Sequence, residues 1–161
     1  MLELIAAALL LADPWEAPLT MRGIGTLRIG MPMASLRAMG AIGEDYSDPD
    51  VDCSYWRVPR WPGLAMMVSG GRVVRIETED VRYRTASGAR VGMSEAEIRA
   101  LYGTRLRVEP HPYTGPEGHY LVYRARGEPY GMIVETSHEN GRALSIRVGT
   151  WEAVQLIEGC S

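Results

Sequence analysis

The sequence predicts an α+β domain: two tandem helix-plus-antiparallel-strand repeats forming one sheet, with the helices packed on one face. Three observations predict it. The segment Gly30–Gly40, GMPMASLRAMG, returns 62 residues later as Gly92–Gly103, GMSEAEIRALYG, with Gly, Met, Ala, Arg and Ala in common. Each copy is followed by β-type residues that reach a Gly-Arg-apolar signature, GRVVRI from Gly71 and GRALSI from Gly141, 70 residues apart. The residues after each signature alternate with a period of two, the pattern of a strand buried on one side. Self-similarity of this kind marks a duplicated structural unit, and the change of offset places insertions in the loops. The repeats are expected over about residues 20–80 and 83–150 of a single domain spanning 13–161, with a C-terminal tail.

The chain begins with Leu4–Ala12, LIAAALLLA, a nine-residue apolar run. As a helix it measures about 14 Å, too short for the ~30 Å core of a bilayer. Its length suits the apolar core of a secretory signal, with Ala12 before Asp13-Pro14 as the cleavage point. Glu3, and the lack of Lys or Arg ahead of the run, suit a short packing helix instead. The working expectation is a signal peptide over 1–12 and a periplasmic or secreted protein. Residues 13–25 are proline-rich and read as a strand or extended arm, and Leu27–Ile29 as a short apolar alternation. Pro32 suits a helix start, and Met33, Leu36 and Met39 share one face before Gly40 ends it. In the second copy Ser94 and Glu97 form a capping box, Ile98, Leu101 and Tyr102 supply the apolar stripe, and Gly103 stops the helix. Helices this short need a sheet to pack against.

The strands of the first copy are expected at Cys53–Val58, Leu64–Val68 and Val73–Thr78, with turns at Trp61-Pro62-Gly63 and Ser69-Gly70-Gly71. Those of the second are Leu106–Glu109, His119–Arg124, Tyr130–Thr136 and Ala143–Val148. Glu139-Asn140-Gly141 marks a hairpin, because Asn-Gly accepts positive φ at both central positions. Alternation assigns Val74, Ile76, Leu144, Ile146 and Val148 to the helix side, and Arg75, Glu77, Ser145 and Arg147 to the other. An antiparallel sheet covered on one side leaves the other open, and the open face is the expected seat of function.

Composition narrows the function classes. With 161 residues, 46% hydrophobic and 23% charged, the chain is an ordinary globular domain. A net charge of −3 argues against nucleic acid or an anionic membrane as the main partner. All 17 basic residues are Arg, with no Lys and no Phe, a bias too uniform to mark an Arg patch. Cys53 and Cys160, 107 residues apart, have the wrong spacing for a zinc knuckle or a redox pair. In an exported protein they read as one disulfide tying the tail to the first repeat; two free thiols are the alternative.

A Gly-Met helix start followed by three or four antiparallel strands, in tandem, resembles the β-lactamase-inhibitor-protein fold. The residues that carry the likeness are Gly25–Ile29 with GMPMASLRAMG and Gly88–Val91 with GMSEAEIRALYG. A single copy is similar to the outer-membrane assembly lipoproteins of the SmpA/OmlA type. Val108–Tyr123, VEPHPYTGPEGHYLVY, and the terminal EGCS resemble a group of uncharacterised exported bacterial proteins. The likeness covers about residues 20–150 and implies binding of another protein through the open sheet face. No inhibitor contact loop is matched, so no contact residue carries over.

Catalytic and metal readings are weaker. His111 and His119, with Glu117, bracket a Pro-Gly loop, but their spacing matches no metal motif, and His138 falls at a hairpin tip. Glu77 and Glu79 lie two apart, which suits a solvated strand edge better than an acid–base pair. No Gly-x-Ser-x-Gly elbow and no phosphate loop occurs. The chain is therefore read as a non-enzyme with no cofactor and no metal. Aromatic residues in loops are the better signal, since interfaces favour Tyr, Trp and Arg. Trp61 and Tyr113 are expected on the surface, replaceable without loss of stability, and joined by Arg75, Glu77, Arg147 and His119 in a binding face. The expected function is an exported module that engages a protein partner through the open sheet. A small-ligand or structural envelope protein, with an enclosed apolar cavity, is the alternative.

Overall fold

A computed structural model describes residues 13–43 and 52–160. The signal-peptide reading of 1–12 lies outside the described residues. Strands β1 (Gly23–Ile24) and β2 (Leu27–Arg28) pair as a small ribbon. Helix α1 (Met33–Ala38) is followed by β3 (Ile42–Gly43), β4 (Cys53–Arg57), β5 (Leu64–Ser69) and β6 (Arg72–Thr78). Helix α2 (Glu95–Tyr102) is followed by β7 (Leu106–Pro110), β8 (His119–Arg124), β9 (Tyr130–Thr136) and β10 (Ala143–Thr150). A short α3 (Trp151–Val154) leads into the tail. Strands β3 to β10 form one antiparallel sheet of eight, ordered β3-β4-β5-β6-β10-β9-β8-β7. The architecture is mostly sheet, within the α+β class. The sequence reading lacked β3 and α3.

The repeated motifs hold each other. Gly30 N donates to Val73 O at 2.7 Å and Val73 N to Met31 O at 2.9 Å; Gly92 N donates to Ala143 O and Ala143 N to Met93 O, both at 2.8 Å. The signature arginines close the same clasp, Arg72 Nη1 on Gly30 O at 2.8 Å and Arg142 Nη1 on Gly92 O at 2.9 Å. Each clasp coincides with a register shift in the strand it grips, near Val73 in β6 and near Ala143 in β10. A bulge leaves one residue unopposed and moves its neighbours out of simple alternation. Val73 and Ala143 therefore enter the core, while Leu144 is exposed and Val74 lies by Cys53 and Leu156 on the other side. This corrects the assignment of Val74 and Leu144 to the helix side.

Local signals otherwise act as expected at the helix starts. Ser94 Oγ accepts from Glu97 N, while Ser94 N and the Ser94 hydroxyl both donate to Glu97 Oε2, and these last two bonds hold the Glu97 carboxyl below its ordinary range. The stripe of α2 consists of Ile98 and Tyr102; Leu101 is exposed. In the last hairpin only Gly141 takes positive φ, at 65°, while Asn140 keeps a negative φ and accepts from Arg142 N through its side chain. The turn closes through Gly141 N on Ser137 O, which is wider than the expected two-residue turn.

One face of the sheet carries the main core. Leu36 of α1, Ile98 of α2 and the arm residues Leu19, Ile24 and Leu27 pack on Leu64, Met66, Ile76, Leu121 and Ile146. The opposite face has a smaller cluster, in which Val154 and Trp151 cover Tyr120, Val122 and Ile133. Trp151 sits so close to β9 that a Cβ on Gly131 would lie 2.6 Å from its ring. The helices thus divide, α1 and α2 on one face and α3 on the other. The second face is partly covered, contrary to the expectation of a fully open one.

Candidate binding face

The second face is laid out by strand register. Ala65, Glu77, Arg147, Ile133 and Val122 form one row across β5, β6, β10, β9 and β8. Tyr55, Met67, Arg75, Gly149 and Gly131 form the next. The chain after β10 crosses this face and is held there by two arginines. Arg75 Nη1 donates to Ala153 O at 3.0 Å and to Leu156 O at 2.8 Å. Its Nη2 bonds the Tyr55 hydroxyl at 2.5 Å and pairs with Glu77 at 2.7 Å. Arg147 Nε donates to Val154 O at 2.7 Å, and its guanidinium lies 4.7 Å from the centre of the Tyr120 ring. The tail is further tied by the Tyr113 hydroxyl on Glu158 at 2.5 Å, and by the Cys53–Cys160 disulfide, with a Cα separation of 5.4 Å.

A cavity flanks the tail on each side. One, a basin of about 670 Å³ open to solvent, is lined by Tyr55, Ala65, Glu77, Glu135, Ser145 and Ile157 among others. The other, an apolar groove of about 400 Å³, runs beside the disulfide past Met67, Val74, Ala153 and Leu156. Carboxylates of Glu77, Glu79, Asp80, Glu135 and Glu158 reach the basin, opposed by Arg57, Arg75 and Arg147. Burial raises the Tyr55 phenol above its usual range, and the Glu77 charge adds to that against the pull of Arg75. Arg82 bonds hold the Asp80 carboxyl below its usual range. Arg75 and Arg147 are only 3% and 5% exposed, yet Arg75 Nε, Arg147 Nη2 and the Tyr120 hydroxyl meet no acceptor or donor among the described residues.

The six predicted residues separate. Arg75, Glu77 and Arg147 share the second face, but the two arginines lie under the tail and not in open solvent. Tyr113 is 65% exposed at the rim. Trp61 is 3% exposed within the helix-side core, which corrects its assignment to the surface. His119 is also corrected: its Nδ1 lies 2.6 Å from Glu95 Oε1 at the start of α2, and Thr136 Oγ1 donates to the same oxygen at 2.7 Å. His111 joins the site instead. Its Nδ1 accepts from Tyr113 N at 3.1 Å and Thr114 N at 3.2 Å, so its Nε2 carries the proton that faces Glu135 at 3.2 Å. It fastens the Pro-Gly loop to the sheet. Tyr55 was legible from its alternation with Cys53 and Arg57, whereas Glu135 and Glu158 depend on register and on the path of the tail.

Among the described residues no three His, Cys, Asp or Glu side chains group as a metal site, and no helix is long and apolar enough to cross a membrane. No protein-family model and no curated protein matches the chain. Among solved structures it is similar to the uncharacterized protein yfeY from Escherichia coli, with a TM-score of 0.54 and 12% identity over 82% of this chain and 99% of that one. It is also matched to a cysteine-rich secretory protein (SAV1118) from Staphylococcus aureus, with a TM-score of 0.39 and 11% identity over 77% of this chain and 45% of that one. At this identity the first likeness shows a shared fold alone, and the second is too loose to carry an argument.

Proposed function

We propose that the chain is an exported, non-catalytic binding module that engages a segment of a partner protein in the basin of its second sheet face. The observation that carries this reading is the basin itself, about 670 Å³, open to solvent and walled by charged side chains and Tyr55, most of them on paired strands. Such a surface suits a polypeptide better than an apolar small molecule. On the helix side, the cavity between the sheet, the end of α2 and the arm at Leu19–Met21 is only about 130 Å³, against the roughly 300 Å³ or more of ordinary ligand pockets, which weighs against the small-ligand alternative. Glu77 and Glu135 are committed to Arg75 and His111, which favours recognition over acid–base chemistry. The disulfide is compatible with export to the periplasm or beyond.

The reading is tested by blocking the basin without removing a contact. Ser145 lines its floor, and Ser145→Trp fills it. Affinity capture from the envelope and secreted fractions of the source organism is expected to retain a protein on the parent chain that Ser145→Trp loses, at unchanged melting temperature. The same catch on both chains would move the interaction elsewhere.

The two halves, in this proposal, are copies of one unit, assembled as in the tandem fold of β-lactamase-inhibitor proteins that the sequence resembles. The paired clasps at Gly30 and Gly92 support it. Arg72→Ala and Arg142→Ala should then destabilise alike, by about 1 kcal/mol each in urea titrations. Losses that differ by more than about 1 kcal/mol would count against equivalence.

A further inference from the structure

We propose that the Cys53–Cys160 disulfide is a latch on this face: a dithiol reductant frees residues 156–160 and joins the basin to the apolar groove as one trough. The inference rests on the binding reading above. Burial changes abruptly along the tail. Val154 is fully buried, whereas Leu156 and Ile157 are 48% and 39% exposed. The strip beyond Val154 therefore gains little from apolar burial, and a covalent tie at its end has much to hold. The same strip is the partition between the cavities. Ile157, Glu158 and Gly159 wall the basin, while Leu156, Gly159 and Cys160 wall the groove.

The disulfide is placed for exchange. Cys53 and Cys160 are half-buried and line the groove, which is the side from which a thiolate would approach the bond. The thiolate attacks one sulfur to form a mixed disulfide, and the second thiol of the dithiol resolves it. Two electrons pass to the protein. The reductant leaves as a disulfide, and Cys53 and Cys160 become thiols.

Release also uncovers donors. Arg75 Nη1 loses Leu156 O while Ala153 O stays bonded, and its Nε already has no acceptor among the described residues. These N–H groups then face the joined trough beside Tyr55 and Met67, where backbone carbonyls or a carboxylate of a longer polypeptide segment satisfy them.

Hydrogen–deuterium exchange with mass spectrometry tests the latch on the oxidised chain, the chain in dithiothreitol, and the Cys53→Ser/Cys160→Ser variant. Amides of 156–160 should exchange about tenfold or more faster in the last two, with β5, β6, β9 and β10 still protected. Unchanged exchange in the tail overturns the proposal, because the non-covalent ties then hold the strip alone. Loss of protection through the whole sheet overturns it as well, because the disulfide then holds the fold. Exchange is read without any partner, so a failed capture with Ser145→Trp removes the binding reading and leaves this result standing.

Discussion

Replacing Trp61 with alanine is expected to cost about 3 kcal/mol, the low end for emptying a buried aromatic site. In a domain of this length that lowers the melting temperature by about 10 °C. The ring is 3% exposed and packs against the backbone so tightly that a Cβ on Gly25 would overlap it. Its buried Nε1 has no acceptor among the described residues, so the substitution also removes a desolvation penalty. That is why the low end is the figure to expect. Tyr113→Ala is the contrasting case, since an exposed ring bonded to Glu158 should leave the melting temperature within about 1–2 °C. Scanning calorimetry of both variants decides the matter. A Trp61→Ala chain that melts like the parent would return the residue to the surface.

Arg75→Ala is expected to cost roughly 2–4 kcal/mol. The guanidinium serves two carbonyls of the C-terminal segment, the Tyr55 hydroxyl and Glu77, and its loss strands all of them on the second face at the centre of the sheet. Glu77 is partly exposed and can hydrate, which keeps the loss below that of a fully buried pair. Arg75→Lys keeps the charge without the planar fork and should recover less than half of the deficit. Urea unfolding monitored by circular dichroism measures both, and an Arg75→Ala midpoint within error of the parent would show that the arginine does not anchor the segment.

Most of the strand map was legible because alternation and Gly-rich turns are local signals. The ends of β8 and β9 fall where the sequence puts them, and the Ser94–Glu97 box opens α2. Leu144 was misplaced because a backbone clasp from Gly92, distant in sequence, forces the bulge that turns it outward. The doubled apolar pair after each Gly-Arg, Val73-Val74 and Ala143-Leu144, was the available signal. Trp61 was misplaced for a different reason. Its neighbours Arg60, Pro62 and Gly63 are turn residues, but the turn folds back over the core and carries the ring inward against Gly25. The candidate face was half legible. Arg75, Glu77 and Arg147 follow from strand parity, but in Trp151–Cys160 only Cys160, read as bonded to Cys53, announces that this stretch returns to the sheet, and nothing there says that it lies across the two arginines.

The order of the large sheet has a consequence for how the chain reaches it. Every strand pair joins neighbours in sequence except β6 with β10, matched from Ile146–Thr78 to Gly149–Arg75. The entropy of closing a distant loop is thereby concentrated in a single docking event, between two hairpin stacks that each zip from nearby contacts.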